Sequence, residues 1–495
     1  MDSGGGNRGK TVRSKTFKNL FVFGFGTTLS RILGFFREVF LAYSLGATHL
    51  SDVFYATFRI INFLRIFLGE SLMQVSLVPL LVENKKNAEK YKRFIGATFT
   101  IFFTVSILLT ILGIIFSPFL ISIFAPGFKK FAFKFIYAKN TLALMFPFAF
   151  FIIISAYFGA LLNSEKKFFV PSFAPFFFNL FFLLIGIFCF FYLKIRNQIF
   201  LYSLAIAVTI GAFFQMFFQF PFVIKRFKIF LTKNIFIPEI KDFIKLVIPV
   251  LFSVITNEII IIFTTFLASF LPEGELSYLS YSFRLRHFPI AILGIGLATV
   301  SLPYMSESEK KIEYLKRIYK LSLSILFPLV LLLLVHSEFI VRIFFERGRF
   351  THVDTLKTSA AFIMFCVGIL PASLFNVHLN YFYSQKKIIQ ANISYFNMLT
   401  AFLVFAPVLF KTMGYTGLAL ASSISSISAL LTLSFYTPEF IEKKDYREFI
   451  IVALIFSVFL YFRVFSNDFI EFSFDSLLSL IFFLYFRKKW KLSEI

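Results

Sequence analysis

Ser30-Arg31-Ile32-Leu33-Gly34-Phe35-Phe36-Arg37-Glu38 lies inside the first apolar stretch of the chain, near residues 17–45. That stretch reads as a membrane-spanning helix, for which about 20 apolar residues suffice. An ionisable side chain at bilayer depth costs roughly 2.5 to 3.5 kcal/mol on insertion scales, so it faces a protein interior or a wet cavity. Arg59 and Arg65 follow in the second span, and Arg284 with Arg286 in a later one. A membrane protein that keeps several cations in its middle is built to handle an anion there.

The bulk of the sequence agrees with a membrane setting. Of 495 residues, 58% are hydrophobic and only 15% charged, against about 25% charged in a soluble domain; the mean hydropathy is +0.82. Fifty Lys and Arg against 26 acids give a formal charge of +24. Nucleic acid is excluded as a partner by where these charges sit, in short loops between apolar stretches. Cys189 and Cys366 are far apart and lack metal-ligand spacing, so they read as small apolar residues. The Gly-rich, basic N-terminal segment reads as a cytoplasmic tail over 1–16, with no small-residue cleavage site of a signal peptide after it.

Counting apolar stretches gives about 14 spans, the last two near 448–464 and 468–486. With the N-terminus inside, about 32 Lys and Arg fall on the cytoplasmic side and about 10 opposite, so an even span count puts both termini inside. The chain also repeats itself. Leu41-Ala42-Tyr43-Ser44-Leu45, Phe58-Arg59 and Val75-Ser76-Leu77-Val78-Pro79 recur as Leu267-Ala268-Ser269-Phe270-Leu271, Phe283-Arg284 and Val300-Ser301-Leu302-Pro303, offset by about 225 residues. Six spans per unit keep both halves in one orientation. Parallel repeats of this kind are a transporter architecture with the substrate site at the repeat interface. The predicted fold is therefore an all-α polytopic membrane protein. It has two six-helix lobes in parallel pseudo-twofold repeat, 17–226 and 240–437, and two extra C-terminal helices over 445–488.

Helical periodicity sorts the charges. Arg31 and Glu38 fall about 20° apart on the first helix, with Arg37 about 120° away toward a neighbouring helix. Asp52, Arg59, Glu70 and Gln74 share a face of the second, with Asn62 and Arg65 around its side. Pairing of Arg31 with Glu38, or of Arg59 with Asp52, does not exhaust the cations. Six arginines stand against Glu38, Asp52 and Glu70, and guanidinium does not deprotonate in proteins. A diphosphate carries about two negative charges and forked oxygen acceptors that match arginine. The expected anion site is thus lined by Arg31, Arg37, Arg65 and Arg284, with Arg59, Ser30 and Asn62; of the six arginines, Arg59 and Arg286 best fit a structural or interfacial role.

Weaker signals surround this set. Asn257, Glu258, Asn376, His378 and Asn380 fit either a coupling cation or, more often, interhelical hydrogen bonds. His49, His336 and His352 are expected near the outer surface, and His287 beside the cavity arginines. No histidine pair has metal spacing, and no nucleophile–base motif or Gly-rich phosphate loop is present. Pro249 and Pro289 are the prolines best placed for a gating hinge.

These residues resemble the MurJ (MviN) family, the lipid II flippases of bacterial peptidoglycan synthesis. The likeness begins with Ser30 to Glu38 and continues through Gly46-Ala47, Ser51-Asp52-Val53-Phe54 and Phe58 to Arg65. Val78-Pro79, Ala125-Pro126-Gly127-Phe128, Leu162-Asn163, Pro171 to Pro175 and Gln215 to Pro221 follow in order. Tyr281 to Leu285, Leu293 to Thr299 with Leu302-Pro303, Phe345 to Thr351 and Phe382-Tyr383-Ser384 complete it, over about residues 16 to 440. The resemblance implies a multi-pass protein of the bacterial cytoplasmic (inner) membrane, in the superfamily of multidrug and oligosaccharide-lipid exporters. It implies a non-hydrolytic flippase for a polyprenyl-diphosphate-linked disaccharide-peptide. By motif, the diphosphate-holding arginines fall on Arg31, Arg37, Arg65 and Arg284, and the acidic positions on Glu38, Asp52 and, by spacing, Glu70. Helices 13 and 14 resemble those that form the groove for the lipid tail.

The chain also departs from the family. Tyr281-Ser282-Phe283-Arg284 stands where Tyr-Ala-Asp-Arg is usual, Leu68-Gly69-Glu70-Ser71 where Ala-Glu-Gly is usual, and Ile61 where Pro precedes Asn62. These changes bear on substrate detail more than on transport. The rival functions are export of another lipid-linked oligosaccharide or of drugs, and an enzyme acting on lipid-linked sugars. An arginine-rich site disfavours cationic drugs. The outward loop near 337–354, with Glu338, Glu346, His352 and Asp354, shows no catalytic arrangement. No cofactor or metal is expected, and a monomer in membrane lipid is expected to suffice.

Overall fold

The computed structural model describes residues 5–67, 73–437 and 468–490. Glu70 and the expected span 448–464 lie outside the described residues. Among the described residues the secondary structure is helical, with no strand. Seven helical segments of the described residues are long and apolar enough to cross a membrane: Ala88–Ile115, Ala132–Ser164, Phe169–Tyr192, Asn197–Ile224, Lys311–Val335, His352–Ser384 and Ile388–Phe435. The arginine-bearing helices His49–Leu64 and Glu275–Pro289 are not among these seven, being 16 and 15 residues long.

Packing divides the chain into two compact units, one of Met1–Ser44 with Thr48–Phe270 and one of Leu45–Ala47 with Leu271–Ile495. The first begins with α1 (Gly5–Leu45), whose helical backbone runs through most of the basic tail, and α2 (His49–Leu64). It continues with α3 (Val78–Asn84), α4 (Ala88–Ile115), α5 (Ser117–Phe124), α6 (Ala132–Met145) and α7 (Pro147–Ser164). It ends with α8 (Phe169–Ile187), α9 (Asn197–Ile224) and α10 (Pro238–Ala268). Local chemistry sets these boundaries. Asn87 caps α4 by accepting from the N–H groups of Glu89 and Lys90, both at 3.1 Å. Pro147 divides the single stretch 131–162 into α6 and α7, sitting at a helix start where its missing N–H costs nothing. Helix α9 packs against α6, α7 and α8, and α2 against α6. Helix α10 packs against α2, α4 and α5 of the same unit.

One of the motif glycines fixes a close approach there. A Cβ on Gly127 would stand 2.2 Å from the Ser269 carbonyl oxygen, and the Gly127 N–H donates to Ser269 Oγ at 3.0 Å. Only glycine lets the backbone after α5 approach the end of α10 so closely.

The second unit holds α11 (Glu275–Pro289), α12 (Ile295–Glu307), α13 (Lys311–Val335), α14 (Ser337–Phe345), α15 (His352–Cys366) and α16 (Ile369–Ser384). It closes with α17 (Ile388–Phe435) and α18 (Asp468–Lys489). Helix α17 is two spans joined at Gly414, whose φ of 60° and ψ of −132° break the helix between the stretches 388–410 and 415–436. Pro289 ends α11 and is followed by a π-helical turn, Ile290–Gly294. Such turns mark a local change in helix path. A core of Met305, Leu315, Ile318, Tyr319, Leu374 and Val377 joins α12, α13 and α16. Helix α18 lies on α13, with Phe482 and Phe486 packed against Leu323, Phe327 and Trp490.

Three family-like motifs meet at one point of this unit. The Tyr281 hydroxyl donates to the Gly46 carbonyl at 2.9 Å, and its ring lies 5.2 and 5.3 Å from those of Phe345 and Phe350. Gly46 has φ of +63°, and a Cβ there would stand 2.5 Å from the Arg349 carbonyl oxygen. At this point these motifs pack against one another.

Candidate functional site

Of the site charges expected in the first unit, Arg37, Glu38, Asp52, Arg59 and Arg65 each meet a protein partner. Arg37 is buried, paired with Glu38 at 2.8 Å and donating to Asn179 Oδ1 at 3.1 Å. Its guanidinium lies 5.1 to 5.7 Å from the ring centres of Phe58, Phe178 and Phe182, which suits a delocalised cation. Glu38, 2% exposed, also accepts from the Tyr55 hydroxyl at 2.9 Å. Asn179 in turn donates to the Ser30 carbonyl at 3.2 Å and to Pro175 at 3.1 Å. The segment Ser30 to Glu38 is thereby tied to α8 as well as to α2. Glu38 takes Arg37 as its partner, although Arg31 shares its helix face. The turn of Arg37 toward neighbouring helices matches the periodicity.

Asp52 is fully buried and pairs with Lys134 of α6 at 2.9 Å. The Lys134 ammonium also lies 4.6 Å from the centre of the Phe128 ring. Arg59 donates to Thr265 Oγ1 of α10 at 2.9 Å. Arg65 follows the last residue of α2 and donates from Nε to Asn62 Oδ1 at 2.9 Å, so Asn62 orients that guanidinium. Arg31 differs from all of these. It is exposed, and no hydrogen bond or ion pair to it is made among the described residues.

In the second unit Arg284 is half-buried on α11, with His287 exposed one turn on. Arg286 is buried, donating to Ser422 Oγ at 2.7 Å and Ser426 Oγ at 3.2 Å on α17, with the Phe365 ring centre at 5.2 Å. Among the described residues no carboxylate pairs with it. Arg59 thus joins α2 to α10, and Arg286 joins α11 to α17.

The secondary polar residues tie helices too. His378 lies between the hydroxyls of Tyr319 (2.6 Å) and Thr437 (3.0 Å). Asn380 donates across to the Ala298 carbonyl at 2.5 Å, whereas Asn376 donates to the Ala372 carbonyl of its own helix at 3.0 Å. His336, expected near the outer surface, is instead buried against Asp475 of α18 at 2.9 Å, because the last helix covers the junction of α13 and α14. No group of His, Cys, Asp or Glu suited to a metal occurs among the described residues.

Sequence reasoning missed Lys134, Asn179, Tyr55 and Asp475. Lys134 follows Lys129 and Lys130 and reads as another loop charge. Asn179 had a usable signal: a lone amide within an otherwise apolar span, four residues after Pro175.

A family profile described as "Lipid II flippase MurJ" matches residues 41–482. The probable lipid II flippase MurJ of Buchnera aphidicola subsp. Schizaphis graminum is 34% identical over 423 residues, 83% of this chain and 80% of that one. A solved lipid II flippase MurJ in an inward closed conformation superposes with a TM-score of 0.83 at 26% identity, covering 95% and 98% of the two chains. An inward-facing multidrug resistance MATE family transporter of the MOP superfamily shares the fold alone, with a TM-score of 0.65 at 13% identity over 83% and 94%. With a match across most of its length and the arginine-bearing segments in order, this chain belongs to the MurJ lipid II flippase family.

Proposed function

We propose that this protein is a flippase that carries a polyprenyl-diphosphate-linked peptidoglycan precursor, lipid II, from the cytoplasmic to the outer leaflet by alternating access. Family membership supports the substrate class, and the retained arginines support an anionic headgroup. In this reading the protein has 14 transmembrane helices, two six-helix lobes over 17–226 and 240–437, and two C-terminal helices over 445–488 that take the lipid tail. Both termini are cytoplasmic, and one copy in the inner membrane suffices. It is a transporter and not an enzyme, and it works without a cofactor or metal.

The observation that carries the assignment of the site is Arg31, exposed at the centre of the deciding segment while Arg37 and Arg59 are held by protein groups. Arg31, Arg65 and Arg284 contact the diphosphate, with Asn62 and Ser30 shaping their surroundings. Contact by Arg37 requires its pair with Glu38 to open. Asp52, Glu38 and Glu70 set the local charge balance. Guanidinium forks bind phosphate oxygens in pairs, which lysine does not reproduce.

The test is complementation in a bacterium depleted of its own lipid II flippase. Arg31→Ala, Arg65→Ala and Arg284→Ala are each expected to abolish growth while the protein remains folded and inserted, with precursor accumulating on the inner leaflet. Full growth of all three would overturn the assignment.

A further inference from the structure

Between α9 and α10 runs the linker 225–237, which the function above does not use. It is anchored along the first turns of α4. The Phe230 ring fills the space beside Gly96, where a Cβ would stand 2.6 Å from its Cζ. The Lys92 ammonium lies 5.7 Å from the centre of the same ring, and the Thr232 N–H donates to Thr100 Oγ1 at 2.9 Å. Phe227 and Ile237, each 5% exposed, plug its two ends into the protein.

Two apolar side chains point the other way. Phe236 is 92% exposed and Leu231 58% exposed, beside Lys225, Arg226, Lys228 and Lys233, all exposed. The anchors at Phe230 and Thr232 set the level of Leu231 between them. Arg93 is the last charge at the start of α4, and Thr100 lies seven residues further in, about 10 Å along a helix axis. That is the level at which apolar side chains of interfacial segments enter the boundary of headgroups and acyl chains, about 5–10 Å deep, with basic residues above them.

We infer that the linker docks on an anionic phospholipid surface, inserting Phe236 and Leu231 between headgroups while Lys228 and Lys233 contact their phosphates. The inference goes beyond the flippase reading. It takes from that reading only that this leaflet is cytoplasmic, and its failure would leave the reading intact.

The chain has a single tryptophan, Trp490, so a Trp490→Phe background gives a silent reporter frame. In it, Phe236→Trp or, as a second probe, Leu231→Trp is placed in phosphatidylcholine vesicles with and without phosphatidylglycerol. With phosphatidylglycerol, the reporter is expected to emit at shorter wavelength, to be quenched by shallow brominated lipids and to be shielded from iodide. Lys228→Ala and Lys233→Ala are each expected to lower the inserted-to-withdrawn ratio by about fivefold. Equal bromolipid quenching in both vesicles would overturn the preference for anionic lipid. Full iodide quenching would overturn insertion, and protection from both quenchers would show that protein covers the linker instead.

Discussion

The ion pair Arg37–Glu38 shows how a residue of the deciding motif can already be engaged within the protein. Its partners come from three helices, α1, α2 and α8. Removing one member of a buried pair leaves a charge without compensation, at a cost of about 3–5 kcal/mol. Glu38→Gln should therefore lower the thermal unfolding temperature in detergent sharply, and Arg37→Gln with Glu38→Gln should recover part of the loss. Arg31→Ala, by contrast, should leave that temperature unchanged. Helical periodicity made the position of each charge legible in advance, but not its partner. Angles on one helix say nothing of Asn179 or Lys134, 142 and 82 residues distant in sequence from the groups they meet. Where two candidates compete for one carboxylate, tertiary distance decides.

Helix ends and breaks were more legible, because proline and glycine act locally. Pro147 and Gly414 both interrupt long apolar runs near where composition changes. The junction of α13 and α14 was harder, since the covering helix α18 lies 139 residues from His336 to Asp475. At Gly127 a tight approach of backbone to backbone rules out any side chain. Gly127→Ala should destabilise the first unit by about 1–3 kcal/mol, the usual cost of overpacking. Gly24→Ala, within α1 and with nothing within 4 Å of the added carbon, should be neutral or stabilising by up to about 1 kcal/mol. Paired denaturation curves check both.

For the molecule as a whole, the arrangement of basic loops predicts that the C-terminus faces the cytoplasm. A fluorescent protein fused after Ile495 should fold and fluoresce, while alkaline phosphatase at the same place should be inactive; the reverse pattern would invert the topology. Fold class was legible because apolar length and loop charge are properties of sequence alone. The two compact units were less so, since α10 belongs to one half by repetition and to the other by contact.

Arg286 carries its charge permanently and is held by serine hydroxyls instead of a carboxylate. A fixed unit charge inside a helical body couples that body to voltage, by about 2.3 kcal/mol for each 100 mV it traverses. Any cycle that shifts α11 along the bilayer normal would then displace electrical charge even with no cargo aboard, and an energised membrane would bias the resting state of the empty carrier.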